Sequence, residues 1–222
     1  MISGTVKPEV EDRLLESLAL WGELFRLEQA SSFRTTDKEN TLKGLWIVTL
    51  YAALECAINQ SVNSIMLHIE TQRPRVNEFN PSFRSLVQHS KIKSIRDGSY
   101  SNSFDKARDL FVSSEAADII EKIPNPLYHI LQNVDAGTIA FILKLFGSDV
   151  YDISPSTVAK LENLRERRNA IAHGRESAKE VGRRFRVAEL KELYDLVDYE
   201  IMRFIRAMDA FCSDRKYLRA MI

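Results

Sequence analysis

Cysteine is almost missing from this chain of 222 residues. The two that occur, Cys56 and Cys212, lie inside apolar helical patterns without the short spacing of a metal site, so reduced, buried thiols in a cytoplasmic protein are expected. Glycine and proline are scarce as well, eight and six, and several of them fall in the proposed loops, which favours long uninterrupted helices. No stretch alternates as a strand would. No apolar run reaches the ~20 residues of a membrane crossing, and residues 1–10 lack the basic-then-apolar order of a secretory leader. Net charge is zero, so any affinity for nucleic acid must come from local clustering. There is no glycine-rich phosphate loop, no Gly-x-Ser-x-Gly elbow and no histidine pair at zinc spacing. His68, His89 and His129 each stand alone and read as surface or core histidines. NTPase, serine hydrolase and metallohydrolase chemistry are disfavoured, and no cofactor is expected.

What remains is a single all-α domain, an antiparallel bundle spanning residues 1–222, with no internal repeat. Residues 9–30 carry Val10, Leu14, Leu18, Trp21 and Phe25 at helical spacing, which predicts an amphipathic packing helix. Thr36 and Glu39 read as a capping box opening a helix that runs to about residue 70 and lies at the centre of the bundle. Glu55 is the one charge in its most apolar part. A carboxylate there either meets a cation, Arg168 or Arg165, or is protonated, or points to solvent along a gap in the packing. Residues 73–125 form an irregular helical insertion, with short helices expected at 83–89 and 114–122 and a surface loop at 97–103. A short helix over 135–146, closed by Gly147, precedes the chain's most informative stretch. The last helix, about 187–213, repeats apolar residues from Leu190 to Phe211 in a stripe long enough to serve as both core and dimer seam.

That stretch is the helix predicted from Pro155, capped by Ser154, to His173, before Gly174. Val158, Leu161, Leu164 and Ile171 share one arc, and Arg168 falls within it where a leucine would be expected. Asn169 and His173, one turn apart, lie along its edge. A cation, an amide and an imidazole in one sector suit chemistry on a phosphate. The chain is also locally basic: between 165 and 186 there are eight basic residues against three acidic ones, which nominates Arg165, Arg167, Arg175, Arg183 and Arg184 as phosphate contacts. The plain alternative makes Arg168 a structural cation satisfying Glu55 or buried carbonyls. His173 is then a helix-end histidine and the rest a solvated loop.

Arg168-Asn169-Ala170-Ile171-Ala172-His173 resembles the Arg-Asn-x-x-x-His signature of the HEPN superfamily. Its setting, from the 133–147 segment before it to the amphipathic helix after it, resembles the stand-alone bacterial MAE-type (RiboL-PSP-HEPN-like) ribonuclease branch. The likeness covers about residues 36–213, except for the insertion. It implies a helical bundle and a metal-independent endoribonuclease, with Arg168, His173 and Asn169 from two subunits sharing one site and Glu55 in support. It further implies an RNA substrate, with those five arginines as RNA contacts, a homodimer, and service as a toxin or antiphage effector restrained by an antitoxin or regulatory protein. The alternative is a non-catalytic RNA-binding or protein-interaction module. One departure stands out: Arg175 sits where members paired with nucleotidyltransferase antitoxins often carry a modified tyrosine, so inactivation by that route is not expected here.

Overall fold

The computed structural model describes residues 2–30, 35–147 and 152–219. These residues form nine α-helices, two 3-10 turns and no named strand. Helix α1 spans Ser3–Ala30 and α2 spans Asp37–Thr71. After a 3-10 turn at Val76–Glu78 come α3 (Pro81–Val87), α4 (His89–Arg96) and α5 (Tyr100–Ser114). A second 3-10 turn, Ile130–Gln132, leads to α6 (Ala136–Leu145). The chain ends with α7 (Pro155–Ala172), α8 (Ala178–Gly182) and α9 (Val187–Ser213).

Helix α2 is the axis of the fold. Trp46, Ile47, Leu50, Tyr51, Leu54, Ile58, Val62, Ile65 and Ile69 are all fully buried along it. By length and composition it is apolar enough to cross a membrane, yet 56% of the relevant window is buried against its neighbours. Its start is the expected capping box: Thr36 accepts from the Glu39 amide while Glu39 reaches back to the Thr36 amide, satisfying donors a helix end leaves open. Long-range bonds fix the topology. Trp46 Nε1 donates to the Ser17 carbonyl at 2.7 Å and Gln60 bonds Glu9, so α1 and α2 are antiparallel. The Ser3 amide donates to Asp209 and Trp21 Nε1 to the Val187 carbonyl, so α9 is antiparallel to α1 in turn.

Two expectations for α1 need correction. The helix begins six residues before position 9, with Pro8 inside it, because Ile2, Val6 and Val10 bury their side chains and that gain outweighs one missing backbone bond. Phe25 is 44% exposed, and Leu24 takes the core position instead. The insertion also differs. The expected loop at 97–103 holds only over 97–99, since α5 begins at Tyr100, and beyond Ser114, the last residue of α5, the segment to 122 is not helical but irregular, with one isolated bridge from Ile119 to Arg75. Helix α3 docks the insertion through aromatic contacts: the Phe83 ring lies 6.0 Å from Phe211 on α9 and 6.1 Å from Phe146 after α6. No residue of α4 or α5 is buried.

The apolar stripe of α9 is used up inside one chain. Leu190, Leu193, Val197, Ile201, Phe204, Met208 and Phe211 are all buried, so a second copy cannot also use it as a seam.

Candidate active site

Helix α7 starts as its sequence dictates: Ser154 accepts from the Thr157 amide and Pro155 occupies the first turn. It ends at His173, whose amide still bonds the Asn169 carbonyl, and Gly174 then turns the chain with φ +67. The amides of Arg175 and Glu176 both return to the Ala170 carbonyl, which closes the helix end and fixes where His173 sits. Leu161, Leu164 and Ala170 are buried, whereas Val158 and Ile171 are only half-buried.

Arg168 does point inward, and what receives it is polar. Its Nη2 donates to Glu55 Oε2 at 2.8 Å, and its Nη1 donates to Asn169 Oδ1, also at 2.8 Å. The guanidinium carbon stands 4.5 Å from the centre of the Tyr51 ring, a cation–π contact that flanks the group with an aromatic face. Of the two cations proposed for Glu55, Arg168 is therefore the partner; Arg165 pairs instead with Asp135. The ion pair is not sealed, since both side chains keep 22% exposure. Burial nevertheless pushes the Glu55 carboxyl upward from its ordinary value, with the charge and hydrogen bond of Arg168 pulling the other way. The Tyr51 hydroxyl is pushed above its usual range, first by burial and then by the charge of Glu55.

Asn133 is the member that sequence reasoning did not single out. Its Oδ1 accepts from Asn169 Nδ2 at 3.0 Å, and the Tyr51 hydroxyl, which donates to the Val134 carbonyl at 3.0 Å, lies 3.5 Å from the same oxygen. The segment is tethered to α2 by Asn59, whose Nδ2 donates to the Leu131 carbonyl at 2.8 Å. A chain of polar contacts thus runs from Glu55 through Arg168 and Asn169 to Asn133 and Tyr51, uniting α2, α7 and the turn before α6. The only sequence signal was that Asn133 opens the segment before the short helix.

His173 differs in kind from its neighbours. It is exposed and its side chain makes no hydrogen bond or ion pair among the described residues. Five residues separate it from Arg168, about 7.5 Å of helix rise. The basic stretch is more neutralised than its composition suggests. Glu176 holds Arg167 and Arg184, and Asp37 holds Lys179 and Arg183. Arg175 is exposed and carries no side-chain partner among the described residues. Exposed ion pairs are worth ~1 kcal/mol or less, so these arginines remain exchangeable for phosphate. Among the described residues no three of His, Cys, Asp and Glu gather as a metal-holding group.

No curated protein and no solved structure matches the chain. The profile of the RiboL-PSP-HEPN family matches residues 15–212, a span that includes α2, the Asn133 segment, the whole of α7 and the insertion. With an all-helical fold, an inward Arg168 and a free His173 one turn beyond Asn169, the chain belongs to the RiboL-PSP-HEPN family, and its HEPN-type domain points to an RNA-related, ribonuclease-type function.

Proposed function

We propose that the protein is a metal-independent endoribonuclease whose site is completed by a second copy of the chain. The observation that carries this reading is the contrast between Arg168, braced by Glu55, Asn169 and the Tyr51 ring, and His173, exposed and without a side-chain partner among the described residues. A braced guanidinium is preorganised to meet charge on a phosphorane, and a free imidazole is placed to move protons.

The reaction starts when one histidine takes the proton of an RNA 2′-hydroxyl. The 2′-oxygen forms a bond to the adjacent phosphorus, and Arg168 stabilises the extra negative charge through its two-donor face. A second, protonated histidine gives its proton to the departing 5′-oxygen as the P–O bond breaks. The products are a 2′,3′-cyclic phosphate and a 5′-hydroxyl. Each chain supplies one motif histidine, so a two-fold dimer that brings both His173 side chains to one cleft provides acid and base together. Asn169, fixed by Asn133, holds the guanidinium in register.

In the cell such an enzyme acts in the cytoplasm as a toxin or antiphage effector, held in check by an antitoxin or other regulatory protein. The test is direct: purified wild-type protein cuts RNA without added metal and leaves cyclic-phosphate ends, whereas His173→Ala and Arg168→Ala do not. Equal cutting by the variants overturns the assignment. One observation favours the competing reading of a non-catalytic RNA-binding or protein-interaction module: both terminal nitrogens of Arg168 are already hydrogen-bonded within the chain. Harmless expression of wild-type protein supports that module, and growth arrest abolished by His173→Ala supports the nuclease.

A further inference from the structure

Away from the motif, the start of α2 and the α8–α9 link flank an open cleft of ≈ 760 Å³ with a mostly polar lining, and none of Glu55, Arg168, Asn169 or His173 borders it. Among the described residues four cations line it: Lys43, Arg183, Arg184 and Arg186. Lys43 is the unusual one, because a lysine is seldom buried without a counter-charge. It is only 5% exposed, and its Nζ donates to the Phe185 carbonyl at 3.1 Å. An ammonium carries three donors, and the other two have no partner among the described residues. One helical turn earlier Asn40, also 5% exposed, lines the same cleft with a side-chain amide that bonds nothing among the described residues. Arg186 is exposed, and its guanidinium likewise forms no pair there.

The acidic residues bordering the cleft do not answer these donors. Glu189 accepts from the Arg186 amide at 2.8 Å, and Glu28 already has an interaction of its own. Arg183 and Arg184 lean on Asp37 and Glu176, exposed pairs that a dianion can displace at little cost. The two helices beside the cleft approach each other closely. A Cβ on Gly182 would stand 1.8 Å from the Asn40 carbonyl oxygen, and one on Gly44 would stand 2.0 Å from the Ala178 carbonyl oxygen. Helices α2 and α8 therefore touch backbone to backbone, holding Asn40 and Lys43 in place.

We infer that this cleft is a phosphate-binding site, with Lys43 and Asn40 at its floor and Arg186 at its rim. Its ligand is a phosphate group, carried either by an RNA strand that continues past the motif or by a free nucleotide. The RNA source rests on the function proposed above; the site itself does not. A buried lysine supplies a fixed point charge, and arginines at the rim supply two-donor grips, the division of labour suited to a tetrahedral oxyanion.

The test uses the full chain and a fluorescent single-stranded RNA with 2′-O-methyl riboses throughout, which cannot be cleaved, so binding is read apart from catalysis. ATP and inorganic phosphate are titrated in parallel. Lys43→Gln and Arg186→Gln are each expected to weaken the RNA about five- to tenfold and to reduce the slope of log affinity against log salt by about 0.7, the loss of one phosphate contact to a single strand. Saturable ATP binding lost in both variants, with RNA binding unchanged, assigns the site to a nucleotide instead. Because Lys43 is buried, Arg186→Gln decides the matter if Lys43→Gln fails to fold. Wild-type affinity of the folded variants for all three probes overturns the proposal, whether or not the protein cuts RNA.

Discussion

At the scale of single residues, the pair of Glu55 and Arg168 decides how the motif behaves. Burial raises the Glu55 carboxyl above its ordinary value, so between that value and the raised one the native state binds more protons than the unfolded chain. Stability then falls as pH rises through that window. The cost is fully present above the raised value and absent below the ordinary one. Glu55→Gln, which keeps an acceptor for Arg168, removes this dependence: urea melts of wild type and variant taken between about pH 4 and pH 7 should converge at the acid end and diverge in the variant's favour at the neutral end. Glu55→Leu is different in kind, since it strands a half-buried guanidinium; a loss of about 1–3 kcal/mol is expected, reduced from fully buried cases by the remaining solvent contact. Asn133→Ala removes the acceptor of Asn169 and should lower cleavage more than it lowers the melting temperature, read as kcat at saturating RNA. The pairing of Glu55 was only half legible in the sequence: a lone carboxylate in an apolar run calls for a cation, yet a solvent-facing gap satisfied the same pattern, and only the fold selects Arg168. The role of Asn133 was not, because one asparagine in a loop looks like any other until the tertiary fold brings Asn169 to it.

At the scale of elements, the helices that matched expectation are those whose ends and faces carry local chemistry. Helix α2 opens on Thr36 and Glu39, α7 on Ser154 and Pro155, and α9 covers residues 187–213 as its apolar period requires. The insertion failed where that chemistry is missing. Ser99 precedes α5 without a side-chain cap bond, so the Gly-Ser-Tyr-Ser-Asn run reads as loop although it enters a helix. What that helix leaves outside is unusual: Tyr100, Phe104 and Phe111 are 84%, 65% and 72% exposed. Because α4 and α5 bury none of their residues, their amides should exchange with deuterium far faster than those of α2, by local opening rather than global unfolding; equal protection in hydrogen-exchange mass spectrometry would contradict this. The opposite holds at the α2–α8 contact. Gly44→Ala or Gly182→Ala forces two backbones apart, and a loss of about 1–3 kcal/mol or more is expected from thermal melts, the range of overpacking in cores. This was not legible beforehand, since neither glycine adopts a positive φ and only the close approach of α2 and α8 explains them.

At the scale of the whole molecule, the question is how one histidine per chain becomes an acid and a base. The stripe on α9 is not the answer, because a single chain buries all of it. That correction has a physical cause: an apolar face of about six turns reads the same whether it meets its own bundle or a neighbour, and periodicity cannot tell the two apart. The proposed dimer must instead place the ends of two α7 helices together, where His173 and Arg175 are exposed. This geometry predicts a dominant effect of dead subunits. If each site needs His173 from both chains, unfolding and refolding wild type with an equal amount of His173→Ala should leave about a quarter of the dimers active, the binomial share of a two-fold assembly. A site complete within one chain would keep half. RNA cleavage per total protein across a mixing series separates the quadratic curve from the straight line, and a straight line would mean that acid and base both come from one subunit, moving the search to groups such as Glu55, which already bonds Arg168.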